Sequence, residues 1–281
     1  VCAGGSSKDF NKVEAASTLL KSLEEPPAQT VWLLCAPTVD DVAPTIRSRC
    51  RLVLLTSPTL SAIAEQLSAR FGIDSAMAAF AARTAQGHIG RARAIATDEN
   101  VRIRRKQIMD IPTNLRSVSS CFELANNIVA SANADTDSIV EPLDESDDQD
   151  IRTAFGEGSE GKGLKTVERQ KKSALKDLED RAKGRRRRVL MDQYDRVLLD
   201  LTSYYRDVLV IQSGAQVELV NEELREAITR VANVDGESET LNRIAAITET
   251  RDQIAANVNP LNAFESLLVS LRDPRLTAIV G

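Results

Sequence analysis

The reading of the fold turns on Val31-Trp32-Leu33-Leu34-Cys35-Ala36-Pro37 and, past residue 43, Pro44-Thr45-Ile46-Arg47-Ser48-Arg49-Cys50-Arg51-Leu52-Val53-Leu54-Leu55. Residues 31–36 are an unbroken apolar run, short enough for a strand buried on both faces, and residues 51–55 are a second run rich in Val and Leu. Pro44, whose fixed φ suits a first helical position, opens a helical turn between them. Upstream, Val13, Ala16, Leu20 and Leu23 share one helical face until Glu24-Glu25-Pro26-Pro27, where proline ends the helix. Helix, strand, helical turn, strand is the order found in the last part of a parallel α/β domain, so a partial α/β core is expected over residues 1–57.

Beyond this segment the period becomes that of a helix. Leu60, Ile63, Ala64, Leu67 and Phe71 form one stripe, and Asp74 is placed to cap the next helix before Met77, Phe80 and Ala81. Gly87 and Gly90 precede a third helix, and residues 58–111 read as a three-helix bundle closed at Asp110-Ile111-Pro112. An all-α region is expected over residues 112–281. Its helices are marked by Leu115, Val118, Phe122, Ala125 and Val129, then by the stripe Leu190, Tyr194, Val197, Leu198, Leu201, Tyr205 and Val208. Leu241, Ile244 and Ile247 mark another helix, and Phe264, Leu267, Leu268 and Leu271 one more after Asn259-Pro260. Residues 135–150 hold eight acids and no base, and Gly and Ser follow, so a flexible insertion is expected over about residues 132–165.

Composition excludes several functions. With a formal net charge of −5, the 281-residue chain is no general DNA-coating protein, since such binding neutralises phosphates with an excess of Lys and Arg. Cys2, Cys35, Cys50 and Cys121 lie far apart, which offers neither a zinc ribbon nor a redox dithiol, and no metal site is expected. No apolar run is long enough to span a membrane, and a cytoplasmic protein is expected. The chain opens Val1-Cys2-Ala3-Gly4-Gly5 without Met, which reads as a piece of a longer protein.

Three ordered blocks add a resemblance. Residues 15–27, ending Ser22-Leu23-Glu24-Glu25-Pro26-Pro27, are similar to the helix after Walker B in bacterial DNA polymerase III clamp-loader ATPases; residues 31–37 look like the sensor 1 strand of that AAA+ family, and residues 44–50 like its Ser-Arg-Cys signature. The resemblance implies the end of an AAA+ P-loop-type domain, an AAA+ lid over residues 58–111 and a helical collar over residues 112–281. In the collar, Ile151-Arg152-Thr153-Ala154-Phe155-Gly156 and Tyr204-Tyr205-Arg206-Asp207 look like actinobacterial members of the delta prime branch. It also implies a role for Arg49 as an arginine finger reaching a neighbouring subunit's γ-phosphate, with Ser48 and Cys50 supporting the turn.

Departures from the ATPase pattern point to the non-hydrolysing delta prime branch. No Walker A loop or zinc module is present; Ser6-Ser7-Lys8-Asp9 offers one acid near Walker B; Pro37 replaces the polar sensor 1 residue; Gly90 stands at the sensor 2 position, with Arg91 next to it as a nucleotide-proximal candidate. No cofactor is expected in this chain, while ATP and magnesium belong to the neighbour. The implied partners are gamma/tau and delta subunits and, through them, the sliding clamp and primer-template DNA, with neither a membrane nor a small-molecule substrate. Catalysis is not expected from the chain itself, only membership of a DNA-directed DNA polymerase holoenzyme.

Two other readings stay open. One is an active clamp-loader ATPase cut before its P-loop. The other is a helical nucleic-acid adaptor using residues 165–188, with Arg185, Arg186, Arg187 and Arg188 as candidate DNA contacts. Interleaved Asp177, Glu179 and Asp180, and the lack of aromatic residues to stack on bases, count against the adaptor. His88, the sole histidine, has no triad or ligand set around it, and Tyr194, Tyr204 and Tyr205 are expected in the collar core with their hydroxyls in water.

Overall fold

The computed structural model describes residues 20, 22–26, 29–36, 38–155 and 164–274, and their side chains except at 152, 154, 155 and 164–173. The chain divides into two compact units, residues 1–57 and 58–281. Every regular element among the described residues is helical.

In the first unit a 3-10 turn, Val39–Asp41, precedes the short helix α1, Pro44–Arg47. The residues expected as strands are not paired: no strand is formed over 31–36 or 51–55, and Val31 and Leu55 are 82% and 89% exposed. A strand exists only through backbone bonds to a neighbour, and neither stretch has one among the described residues. The described architecture is therefore all-α, and the expected α/β core is not seen. Most of the helix expected over residues 13–23, the Walker B position at residues 6–9, and Pro37 lie outside the described residues.

The second unit begins with α2 (Leu60–Phe71), α3 (Ser75–Ala85) and α4 (Ile89–Thr97). Their shared core is Ile63, Leu67, Ala78, Ala81, Ala82, Ala85, Ala92, Ile95 and Ala96. Alanine dominates on α3, which lets the backbones approach closely. Leu60 and Phe71, at the ends of the predicted stripe, are exposed, and Phe71 carries the Arg93 guanidinium over its ring at 4.7 Å. Gly72, at φ +65°, closes α2 in a left-handed cap that a side chain would strain. Asp74 caps α3 as expected, accepting from the Ala76 and Met77 amides.

The next helix, α5 (Glu99–Met109), belongs more to a second and larger core than to this one. Met109 enters the larger core and Ile108 packs against it, while Val101 alone leans on the small one. After α6 (Ile111–Asn114) come two long helices, α7 (Val118–Phe155) and α8 (Leu164–Gln212), then α9 (Arg225–Val234), α10 (Glu237–Ala255) and α11 (Pro260–Arg272). The apolar stripe of α8 is core as read: Tyr194, Leu198, Leu201, Tyr205 and Val208 meet Phe264, Leu267 and Leu268 of α11 and Ile247 of α10 in one cluster. On α7 the buried face is Cys121, Ala125 and Ile128, whereas Val118 and Phe122, expected inside, are exposed.

The acidic stretch is a correction. Residues 135–155 are not an irregular insertion but the second half of α7, which continues through Pro142. Thr136 and Val140 are buried on its inner side, and Asp137, Asp144 and Asp147 pair with Arg185 and Arg186 of α8. Composition alone gave eight mutually repelling carboxylates; a basic partner helix changes that balance.

Tyrosine placement also differs from expectation. Tyr204 and Tyr205 stack edge to face, their ring centroids 5.4 Å apart, and both residues are buried, the Tyr204 hydroxyl included. The Tyr204 hydroxyl has no hydrogen-bond partner among the described residues. Burial pushes it up to about 12, and pushes Tyr205 higher still.

Candidate functional site: an arginine-bearing turn

The turn at residues 38–50 is built from local hydrogen bonds. Thr38 donates both its amide, at 3.1 Å, and its hydroxyl, at 2.8 Å, to Asp41 Oδ2, which fixes entry into the 3-10 turn. Pro44 starts α1, and Ile46, 1% exposed, anchors it. The chain leaves through tight bonds, Ser48 N–H to Pro44 O at 3.0 Å and Arg49 N–H to Ile46 O at 3.1 Å, which put Arg49 just past the helix end. A cation there faces the carbonyl end of the turn. Arg49 Nη1 accordingly donates to Thr45 O at 2.9 Å and to Ser48 Oγ at 3.2 Å.

The outer edge of the same guanidinium meets Glu24. Arg49 Nε donates to Glu24 Oε1 at 2.6 Å, and Nη2 lies 2.5 Å from that oxygen. The Arg49 and Glu24 side chains remain 39% and 49% exposed, so the pair stands in reach of an incoming anion. Ser48 supports the turn by donating to Thr45 O at 3.0 Å. Cys50, expected to pack beneath it, is exposed, and Ile46 holds the underside instead.

The other candidates lie in the second unit, each in a different setting. Arg91 is largely buried and paired with Asp200 of α8, where Arg105 Nε also approaches at 3.5 Å. Its guanidinium is committed to holding α4 against α8. Burial pushes the Asp200 carboxyl up from its ordinary range, with Arg91 and Arg105 pulling the other way. Arg105 and Arg83 converge on Glu223, at 3.1 and 3.0 Å, and complete a cluster joining α3, α5 and the turn at Glu222–Leu224. A cavity of about 610 Å³ opens beside it, where Arg104 pairs with Asp135. His88 caps α4, its Nδ1 accepting from the Arg91 amide at 3.1 Å.

Of the basic run, Arg185 pairs with Asp144 and Asp147, Arg186 with Asp137, and Arg187 with Asn257, while Arg188 is exposed. Among the described residues no group of His, Cys, Asp and Glu could hold a metal, and no helix is long and apolar enough to cross a membrane. Glu24 and Asp200 had no assigned role in the sequence. Asp200 was findable, because a carboxylate inside Leu198-Leu199-Asp200-Leu201 on an apolar stripe demands a buried cation.

Fold and turn define a helical protein whose exposed arginine turn sits on a separate small unit. Comparison with known proteins places that unit more closely. Residues 7–59 match the family model described as DNA polymerase III, delta subunit. A stretch of 90 residues is 36% identical to DNA polymerase III subunit delta' of Escherichia coli (strain K12), covering 32% of this chain and 27% of that protein. The chain thus spans about a quarter of that relative's length. The likeness drawn from the three N-terminal blocks is borne out as a similarity to the DNA polymerase III delta and delta prime family, with the family model matching over residues 7–59.

Proposed function

We propose that the protein is a non-hydrolysing scaffold subunit of a DNA polymerase III clamp loader, of the delta prime kind, which presents Arg49 to ATP bound by a neighbouring subunit. The observation that carries this reading is the turn itself: an exposed, permanently charged guanidinium, anchored by Ile46 and Ser48, inside the residues that match the delta family. Stabilising negative charge on a transferring phosphoryl group calls for such a group, and its supply from another subunit ties hydrolysis to assembly. Residues 31–36 and 51–55 are, in this reading, strands of an AAA+ sheet in the intact protein. The helices from α2 onward supply lid and collar, the collar meeting gamma/tau and delta subunits. ATP and magnesium sit with the neighbour, and the sliding clamp and primer-template DNA are engaged through the assembly.

Arg91 is committed to Asp200 in a buried pair, whereas Arg49 stays 39% exposed and is held only by exposed partners. The nucleic-acid adaptor reading is weakened because Arg185 and Arg186 already face carboxylates. The test is ATP hydrolysis, stimulated by clamp and DNA, in a loader reconstituted with the intact protein. Arg49→Ala should leave assembly unchanged and slow hydrolysis at least about tenfold, or about 1.4 kcal/mol of transition-state stabilisation. An unchanged rate would reduce Arg49 to a helix-end residue.

A further inference from the structure

We infer that Glu24 is a cis latch on Arg49, an inference that rests on the trans-arginine reading above. All three nitrogens of the guanidinium are engaged within the chain: Nη1 with Thr45 O and Ser48 Oγ, Nε and Nη2 with one oxygen of Glu24. The Nε and Nη2 edge meets Glu24 and not the turn, and it is the edge that binds a carboxylate or phosphate with two parallel bonds. Glu24 therefore holds the place that an oxygen of a nucleoside triphosphate takes in the assembled ring. One guanidinium edge cannot serve both anions.

The latch is built to yield. Both side chains are well exposed, and exposed pairs are weak, so exchange from carboxylate to phosphate costs little. The phosphate brings more negative charge and more acceptor oxygens, and wins when the neighbour presents it squarely. When subunits are only loosely docked, Glu24 keeps the edge and hydrolysis is not promoted. Thr45 and Ser48 stay bonded through Nη1 in either state, so the switch amounts to a small swing of the side chain about a fixed point.

Hydrolysis by the reconstituted loader without clamp or DNA tests this. Glu24→Gln, nearly isosteric but uncharged, should raise that unstimulated rate, about two- to fivefold given the strength of exposed pairs. The double variant Glu24→Gln/Arg49→Ala should fall to the rate of Arg49→Ala. If Arg49→Ala slows hydrolysis but Glu24→Gln behaves as wild type, the latch is wrong and the trans-arginine reading stands. Should Arg49→Ala have no effect, that reading fails and the latch falls with it. A second readout is independent of the loader: in the isolated protein, Glu24→Gln should shift the Arg49 side-chain Nε–H resonance, and an unmoved resonance would overturn the contact.

Discussion

Residues 1–57 and residues 58–281 hold themselves in opposite ways. In the first unit Ile46 is the one buried hydrophobic residue among those described, while Val31, Leu33, Val53, Leu54 and Leu55 are exposed, and its side-chain bonds are local or at the surface. The second unit has two aliphatic cores and a buried ionic cluster around Asp200. Apolar burial is the main force offsetting chain entropy, so the second unit is self-sufficient and the first is marginal by itself. The contrast also separates roles. The arginine proposed to reach another subunit stands on the weakly buried unit, whereas Arg91 and Arg105 of the strongly buried one are committed to Asp200.

The largest effect expected from this contrast comes from Asp200→Ala. It leaves the buried guanidiniums of Arg91 and Arg105 facing a gap, and should lower the urea stability of the second unit by about 3 kcal/mol. A loss below about 1 kcal/mol would mean the cluster is solvated.

Spectroscopy separates the units more gently. Trp32, the sole tryptophan, reports on the first unit, and all three tyrosines, Tyr194, Tyr204 and Tyr205, sit in the larger core of the second. Trp32 fluorescence should change at lower urea than far-UV ellipticity does; coincident transitions would contradict independent stabilities. In an alkaline titration Tyr194 and Tyr205 should ionise above the ordinary tyrosine value, and Tyr204 only towards about pH 12. Its folded value lies above the unfolded one, so the stability it contributes is present below pH 10 and lost as pH rises through that window.

Much of the second unit was legible in the sequence because helical periodicity reports burial directly. The stripe from Leu190 to Val208, the Asp74 cap and the Asn259-Pro260 helix start all follow from local rules, and Asn259 Oδ1 accepts from the Leu261 amide as a cap should. What stayed hidden depends on distant partners. The acidic half of α7 is ordered by Arg185 and Arg186, which lie 38 or more residues away. Arg91 next to Gly90 invited a nucleotide role until Asp200 appeared opposite it. The apolar runs at 31–36 and 51–55 have strand-like composition, but strand formation requires a neighbour that local pattern does not supply. At the candidate site the arginine was readable from the Ser-Arg-Cys signature, whereas Glu24, 25 residues earlier, gained its meaning only from the turn bringing the two together.

The most direct test of this division is a side-by-side comparison of Arg49→Ala and Arg91→Ala in the reconstituted loader, at a temperature where circular dichroism shows both variants folded. The account predicts that Arg49→Ala abolishes most of the clamp- and DNA-stimulated hydrolysis without changing thermal stability, and that Arg91→Ala lowers thermal stability while the rate per assembled complex holds. A folded Arg91→Ala complex that hydrolyses slowly, beside an Arg49→Ala complex at the wild-type rate, would contradict it.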